Sequence, residues 1–138
     1  MQYHAFIEAV RSHGDGIGSR VAARHLTDAF FDTLGERLEH PARDHVGAQL
    51  PRELKEILAR RRGVEHFTLE EFYKRLGARA GFHYEQAIKK THIITDVLRR
   101  AVPESEISFL LEQLPGEYIE LFGPPRGPLS PSAPAGQP

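Results

Sequence analysis

The apolar positions of this chain recur at helical spacing almost from its first residue. Tyr3, Phe6, Ile7 and Val10 fall at i, i+3, i+4 and i+7, on one side of a helix that Gly14, Asp15, Gly16 and Gly18 then stop. A longer helix is expected from about Ser19 to Leu38. Its inward stripe is Ala22, Leu26, Ala29, Phe30, Thr33, Leu34 and Leu38, with Asp28, Asp32 and Gly35 on the opposite side. Glycine within a helix costs roughly 1 kcal/mol relative to alanine, so Gly35 marks either a neighbour in close approach or a position where the helix tolerates the cost. Pro41 can open a short third helix through Ala42, Val46 and Leu50, because proline at the first helical position gives up no internal hydrogen bond. Leu50 precedes Pro51 and is pushed out of the α region, so Pro51 starts a fourth helix. There Glu53 meets the free amides, and Leu54, Ile57 and Leu58 join Leu50 on the buried side.

The series then restarts. Thr68 and Glu71 have capping-box spacing ahead of an apolar face of Leu69, Phe72, Tyr73 and Leu76, and Gly81 is placed as a C-cap. Tyr84 to Val102 reads as a second long helix with Ala87, Ile94, Val97, Leu98 and Val102 on one face. Pro103 ends it, Ser105 to Leu114 forms a short helix, and Pro115 opens the last one, closed by Gly123 and Pro124. Residues 124–138 are rich in proline and glycine with almost no apolar bulk, and are expected to be a disordered, partly polyproline-II tail.

The restart is partly literal. QLPRELKEIL at 49–58 and QLPGEYIELF at 113–122 share five of ten residues, and the same offset of 64 pairs Ala23 with Ala87, Thr27 with Thr91, Asp32 with Asp96, Leu34 with Leu98 and Val46 with Leu110. A shift of two residues across the glycine loop aligns Phe6 with Phe72 and Ile7 with Tyr73. The expected architecture is all-α: two tandem copies of a four-helix unit with two longer and two short helices. The copies are residues 3–59 and 67–123, joined by linker 60–66 and packed as one domain over 1–123, since units of about 57 residues are marginal alone. Gln49, Leu50, Pro51 and Glu53, echoed by Gln113, Leu114, Pro115 and Glu117, are then helix-junction residues. Of these, only Gln49 and Gln113 lack an assigned task.

The blocks FIEAV, DAFFDTLGERL, VGAQLPRELKEIL, FTLEEFYKRLGARAG and LEQLPGEYIELF resemble those of the bacterial family catalogued as domain of unknown function 2267, over nearly all of residues 1–123. The second copy departs at LRRAV, where LGERL has no counterpart. The resemblance implies a small all-helical fold and a bacterial cytoplasmic setting, and it transfers no catalytic residue.

Composition narrows the function classes. Eighteen basic and nineteen acidic residues in 138 leave a net charge of −1 with no long block of one sign, so no global field points to a polyanion or a membrane. The absence of cysteine removes disulfides, thiolate metal sites and cysteine nucleophiles. The amino terminus has neither the basic segment nor the apolar run of a signal peptide, and no stretch of about 18 apolar residues is present, so a cytoplasmic location is expected.

Candidate chemistry is sparse. His92 and Asp96, with Asp28 and Asp32 at the equivalent places in the first copy, have i, i+4 spacing and would suit a divalent metal if they converged. The helical wheel places all four opposite the apolar stripes, as a solvated face without further ligands. No serine lies in a G-x-S-x-G elbow, and GDGIG lacks the Gly-Lys-Ser/Thr of a phosphate loop. Arg60, Arg61 and Arg62 are the one basic concentration. They suit either the negative end of a helix or phosphate contacts. The expectation is a non-enzymatic protein-interaction or structural module with no cofactor, whose partner, or a second copy of itself, docks on exposed faces such as the one carrying Phe31 and His92. Nucleic-acid binding through Arg60, Arg61 and Arg62 is the alternative, and a metal-dependent or hydrolytic enzyme a weaker one. An interaction module of this kind predicts a contiguous exposed apolar patch.

Overall fold

In the computed structural model, residues 1–13, 17–60 and 63–122 are described. Among them the chain forms seven α-helices and a closing 3-10 helix, with no strand. The stop at Gly14, Asp15 and Gly16, the linker arginines Arg61 and Arg62, and the tail at 124–138 lie outside the described residues.

Helix α1, Tyr3–Arg11, buries Phe6, Ile7 and Val10 as its spacing requires. Helix α2, Arg20–Arg37, is opened by Ser19, whose hydroxyl accepts the Ala22 N–H at 3.1 Å. Helix α3, His40–Gly47, carries Pro41 in its first turn, and α4 spans Arg52–Ala59. Helix α5, Leu69–Ala80, is capped by the Thr68 hydroxyl, which accepts from Glu71 N–H at 3.2 Å. The other arm of a capping box is not made, because the Glu71 carboxylate takes Arg75 Nε at 2.9 Å instead. Gly81 ends α5 in the left-handed conformation, φ +82°, its N–H on the Gly77 carbonyl at 2.8 Å. Helices α6, Tyr84–Ala101, and α7, Glu104–Glu112, follow, and the closing 3-10 helix is Gly116–Phe122.

The two echoed junctions resolve differently. Pro51 caps α4 from just outside, its carbonyl accepting the N–H groups of Leu54 and Lys55, both at 3.0 Å. Leu50, Leu54 and Leu58 are buried beneath it, while Ile57 is only partly covered. Pro115 does the same for Tyr118 at 2.9 Å, but the following turn tightens into a 3-10 helix. Glu53 lies in the first turn of α4 as expected. Glu117 lies in the first turn of the 3-10 helix as expected, and its carboxylate also accepts the Leu69 N–H at 3.2 Å, a free amide of α5. The Gln113 amide donates to the Phe109 carbonyl at 3.3 Å, one turn back, and Gln49 is exposed.

Helix α2 is the centre of the molecule, with α1, α4, α5 and α6 packed around it. Twelve of its eighteen residues are buried, so a single stripe does not describe it. Ala23 faces inward and Ala22 is exposed. Phe31, expected on the surface, is fully buried, edge-on to Phe6 at 5.9 Å and Phe30 at 5.1 Å. The aromatic contacts continue from Phe30 to Phe72 and from Phe72 to Tyr118. Gly35 is explained by a neighbour and not by tolerance, since a Cβ there would lie 2.3 Å from the Leu58 carbonyl oxygen.

Helix α1 packs on α6 as well as α2, and α5 packs on α2 as well as α6. The segment joining α4 to α5 is held down along its described length. Glu65 N–H bonds to the Glu36 carbonyl at 3.0 Å, and buried Arg43 donates to the Gly63 carbonyl. The Phe67 carbonyl accepts from both Arg37 Nε at 2.9 Å and the Tyr118 hydroxyl at 2.7 Å, with the Arg37 guanidinium 5.4 Å from the Tyr118 ring. Tyr118→Phe removes one of those two donors and keeps the ring. Urea unfolding is expected to show a loss of about 1 kcal/mol, because Arg37 still satisfies the carbonyl.

Helices α2 and α6 each have 18 residues and begin at 20 and 84. Helices α3 and α7 begin at 40 and 104, and α4 and the 3-10 helix at 52 and 116. Thr27 back-bonds to the Ala23 carbonyl at 2.8 Å, and Thr91 to the Ala87 carbonyl at 2.7 Å. Among the described residues no helix is long and apolar enough to cross a membrane.

Candidate functional site

The polar side chains singled out in the sequence gather along α2 and α6, in two separate clefts. The first, of about 300 Å³, is lined by His25, Asp28, Ala29 and Asp32 of α2, by Arg60 at the end of α4, and by Arg79 of α5. Asp32 is only 9% exposed. Its two oxygens face Arg60 Nε at 3.4 Å and Arg79 Nε at 3.6 Å. Asp28 accepts the Tyr3 hydroxyl at 3.1 Å. Burial pushes the Asp28 carboxyl above its ordinary range, against the pull of that hydrogen bond and of nearby Arg24. The Tyr3 hydroxyl is also raised, first by burial and then by the charge of Asp28.

Behind this cleft lies an ion-pair network. Glu36 Oε1 sits 3.1 Å from Arg75 and 3.0 Å from Arg79, contacts that are electrostatic and not aligned as hydrogen bonds. Arg79 donates to the Thr33 hydroxyl at 2.9 Å, and Arg75 reaches Glu65 at 3.1 Å and Glu71 at 2.9 Å. Burial alone would lower the Arg75 pKa, but Glu71, Glu36 and Glu65 together outweigh it and hold the guanidinium charged. Two acids four residues apart on α2, Asp32 and Glu36, thus face two bases four apart on α5, Arg75 and Arg79. That i, i+4 match was present in the sequence and was the signal available for this network.

The second cleft, of about 370 Å³, is lined by Lys89, Lys90, His92 and Ile93 of α6. His92 Nε2 contacts the Glu120 carbonyl at 3.0 Å, and since a carbonyl only accepts, that nitrogen carries the proton. Asp96 pairs with His13 Nε2 at 3.1 Å, tying α6 to the end of α1. Burial first and the charge of Glu120 second push the Tyr73 hydroxyl strongly upward.

The four metal candidates are therefore not brought together. Asp28 and Asp32 line one cleft, His92 lines the other, and Asp96 is engaged with His13. Among the described residues no group of three or more His, Cys, Asp or Glu is placed to hold a metal ion. The expected solvated face is also corrected at Asp32, which α4 and α5 cover. Arg60 is turned to Asp32, while Arg61 and Arg62 lie outside the described residues. Lys89 and Lys90 were not singled out by motif. The large apolar residues exposed among the described ones are Met1, Val21, Tyr84 and Ile119, which sit on four different segments.

A family model described as Uncharacterized conserved protein (DUF2267) matches residues 3–121. No curated protein matches the chain.

Proposed function

The chain belongs to the DUF2267 family, and from that footing we propose that it works as a non-enzymatic module of the cytoplasm for protein interaction or structural assembly. The observation that carries this reading is that the candidate chemical groups already serve other elements of the fold. Asp28 holds Tyr3, Asp32 faces Arg60 and Arg79, Asp96 holds His13, and His92 holds the Glu120 carbonyl. A general base or a metal ligand needs a lone pair directed at substrate or ion; the three carboxylates direct oxygens at neighbouring segments, and His92 spends its Nε2 proton on the Glu120 carbonyl. We further propose that the domain over 1–123 arose as two copies, 3–59 and 67–123. The spacing of 64 between three of the four pairs of helix starts, with 66 between those of α1 and α5, and the repeated threonine back-bonds support this.

Cross-linked capture of the intact chain from its native cell, followed by reconstitution with the purified partner, tests the proposal. A stoichiometric complex supports it. Stoichiometric metal in the purified protein, with turnover abolished by Asp32→Asn, replaces it with the enzyme reading. Salt-sensitive binding to heterologous duplex DNA that disappears when Arg60, Arg61 and Arg62 become alanine replaces it with the nucleic-acid reading.

A further inference from the structure

Helices α3 and α7, which begin 64 residues apart, pack against each other and meet at a position they share. His45 lies on Phe109, its counterpart at that offset, with ring centroids 3.9 Å apart and planes inclined by 34°. A second contact joins the same two helices, since His45 Nε2 sits 3.0 Å from Glu106 Oε1. The counterpart of Glu106 is Ala42, so the ion pair is made on one side of the contact only.

The Glu106 oxygen is closed off from solvent and has no aligned hydrogen bond among the described residues, although the side chain as a whole keeps 19% exposure. An ionised carboxylate in that place calls for a cation set against it, and His45 can become one. The surroundings favour the charged ring. His45 is in the last turn of α3, at the negative end of that helix, and Glu106 is in the first turn of α7, at its positive end. The Phe109 ring adds the negative face of its quadrupole. Other charged groups around the contact have other neighbours. On α3, His40 and Asp44 pair with each other in the open, and buried Arg43 donates to the Gly63 carbonyl. From α4, Lys55 runs its aliphatic stem past Gly47. Glu117, on the 3-10 helix packed against α7, takes the Leu69 N–H, and Glu104 is exposed two residues before Glu106.

We infer that the His45–Glu106 contact is a pH-responsive clasp between α3 and α7, closed while the imidazole is protonated and loosened when it is neutral. The free groups set the window. A carboxylate is ionised above about pH 4.3 and an imidazole protonated below about pH 6.5, so the attraction is greatest between those limits. As pH rises through the imidazole range the ring loses its charge, and the enclosed carboxylate oxygen is left without a counter-ion. As pH falls through the carboxylate range the anion is lost instead. The joint is therefore firmest in mild acid and weakens above neutrality. This device is independent of the interaction role proposed above.

Thermal unfolding of the intact chain at about pH 5.5 and about pH 8.5, at one ionic strength, tests the clasp. Each variant is compared with the parent at the same pH, so that the other histidines cancel. At the lower pH, Glu106→Gln is expected to reduce the unfolding temperature by about 3 °C or more, and at the higher pH by less than half as much. His45→Gln, at a half-exposed position, should show the same pattern and keeps the test readable if Glu106→Gln does not fold. The two changes together should lose less than the sum at the lower pH and close to the sum at the higher. Asp44→Asn, which breaks the exposed pair beside His45, should change little at either pH. A stability gap for Glu106→Gln and His45→Gln that is equal at both pH values, or that grows with pH, overturns the inference, because neutral His45 would then hold Glu106 as well as the cation does.

Discussion

Replacing Gly35 with alanine is expected to destabilise the fold by about 2 kcal/mol or more, although the same change in an exposed helix would stabilise it by about 1 kcal/mol. The new Cβ would lie 2.3 Å from the Leu58 carbonyl oxygen, 3.1 Å from its carbonyl carbon and 3.2 Å from its Cα. Those atoms are backbone, so no rotamer change relieves the contact, and α4 must move away from α2 as a body. Moving it opens the packing of Leu54 and Leu58, both fully buried. Gly63→Ala is the control, because an added Cβ there meets nothing within 4 Å, and its effect should stay within about 0.5 kcal/mol. Chemical denaturation of the two variants decides the matter. An unchanged or raised midpoint for Gly35→Ala would mean that the α2–α4 approach is looser than described.

Gly35 also shows where reading the sequence stops. Caps and breaks were legible because each depends on a few adjacent residues. Ser19, Thr68, Gly81 and the prolines at 41, 51, 103 and 115 all act within one turn of the helix end they mark. The inward faces of α1, α5 and α6 were legible for a similar reason, since each buries mainly one side. Helix α2 was not, because over residues 29–37 it is covered on all sides, and its second covered face is built from Phe31, Gly35 and paired charges. A helical wheel sorts residues by angle and is silent on what covers each angle. For the same reason Asp28, Asp32, His92 and Asp96 were found as a related set but assigned to open solvent. Their partners, Tyr3, Arg79, the Glu120 carbonyl and His13, come from distant parts of the chain.

Glu36→Gln is expected to cost about 2 kcal/mol while leaving the shape of the side chain almost unchanged. Removing one member of a buried ion pair costs about 3–5 kcal/mol, because the remaining charge is left uncompensated in a poorly solvated place. The lower figure applies here because Arg75 and Arg79 keep side-chain exposures of 25% and retain other anions, Glu65 and Glu71 for the first and Asp32 for the second. The Glu36 backbone carbonyl still accepts the Glu65 N–H, so the loss reports on charge and not on the connector. A double-mutant cycle separates the pair from its surroundings. Glu36→Met and Arg79→Met should each destabilise, and together they should lose less than the sum, since an apolar pair leaves neither charge stranded. Additive losses would mean that Glu36 and Arg79 are stabilised independently by the rest of the network. Coupling of about 1 kcal/mol or more would make the α2–α5 contact a joint that favours its own partner charges over any alternative packing of the same helices.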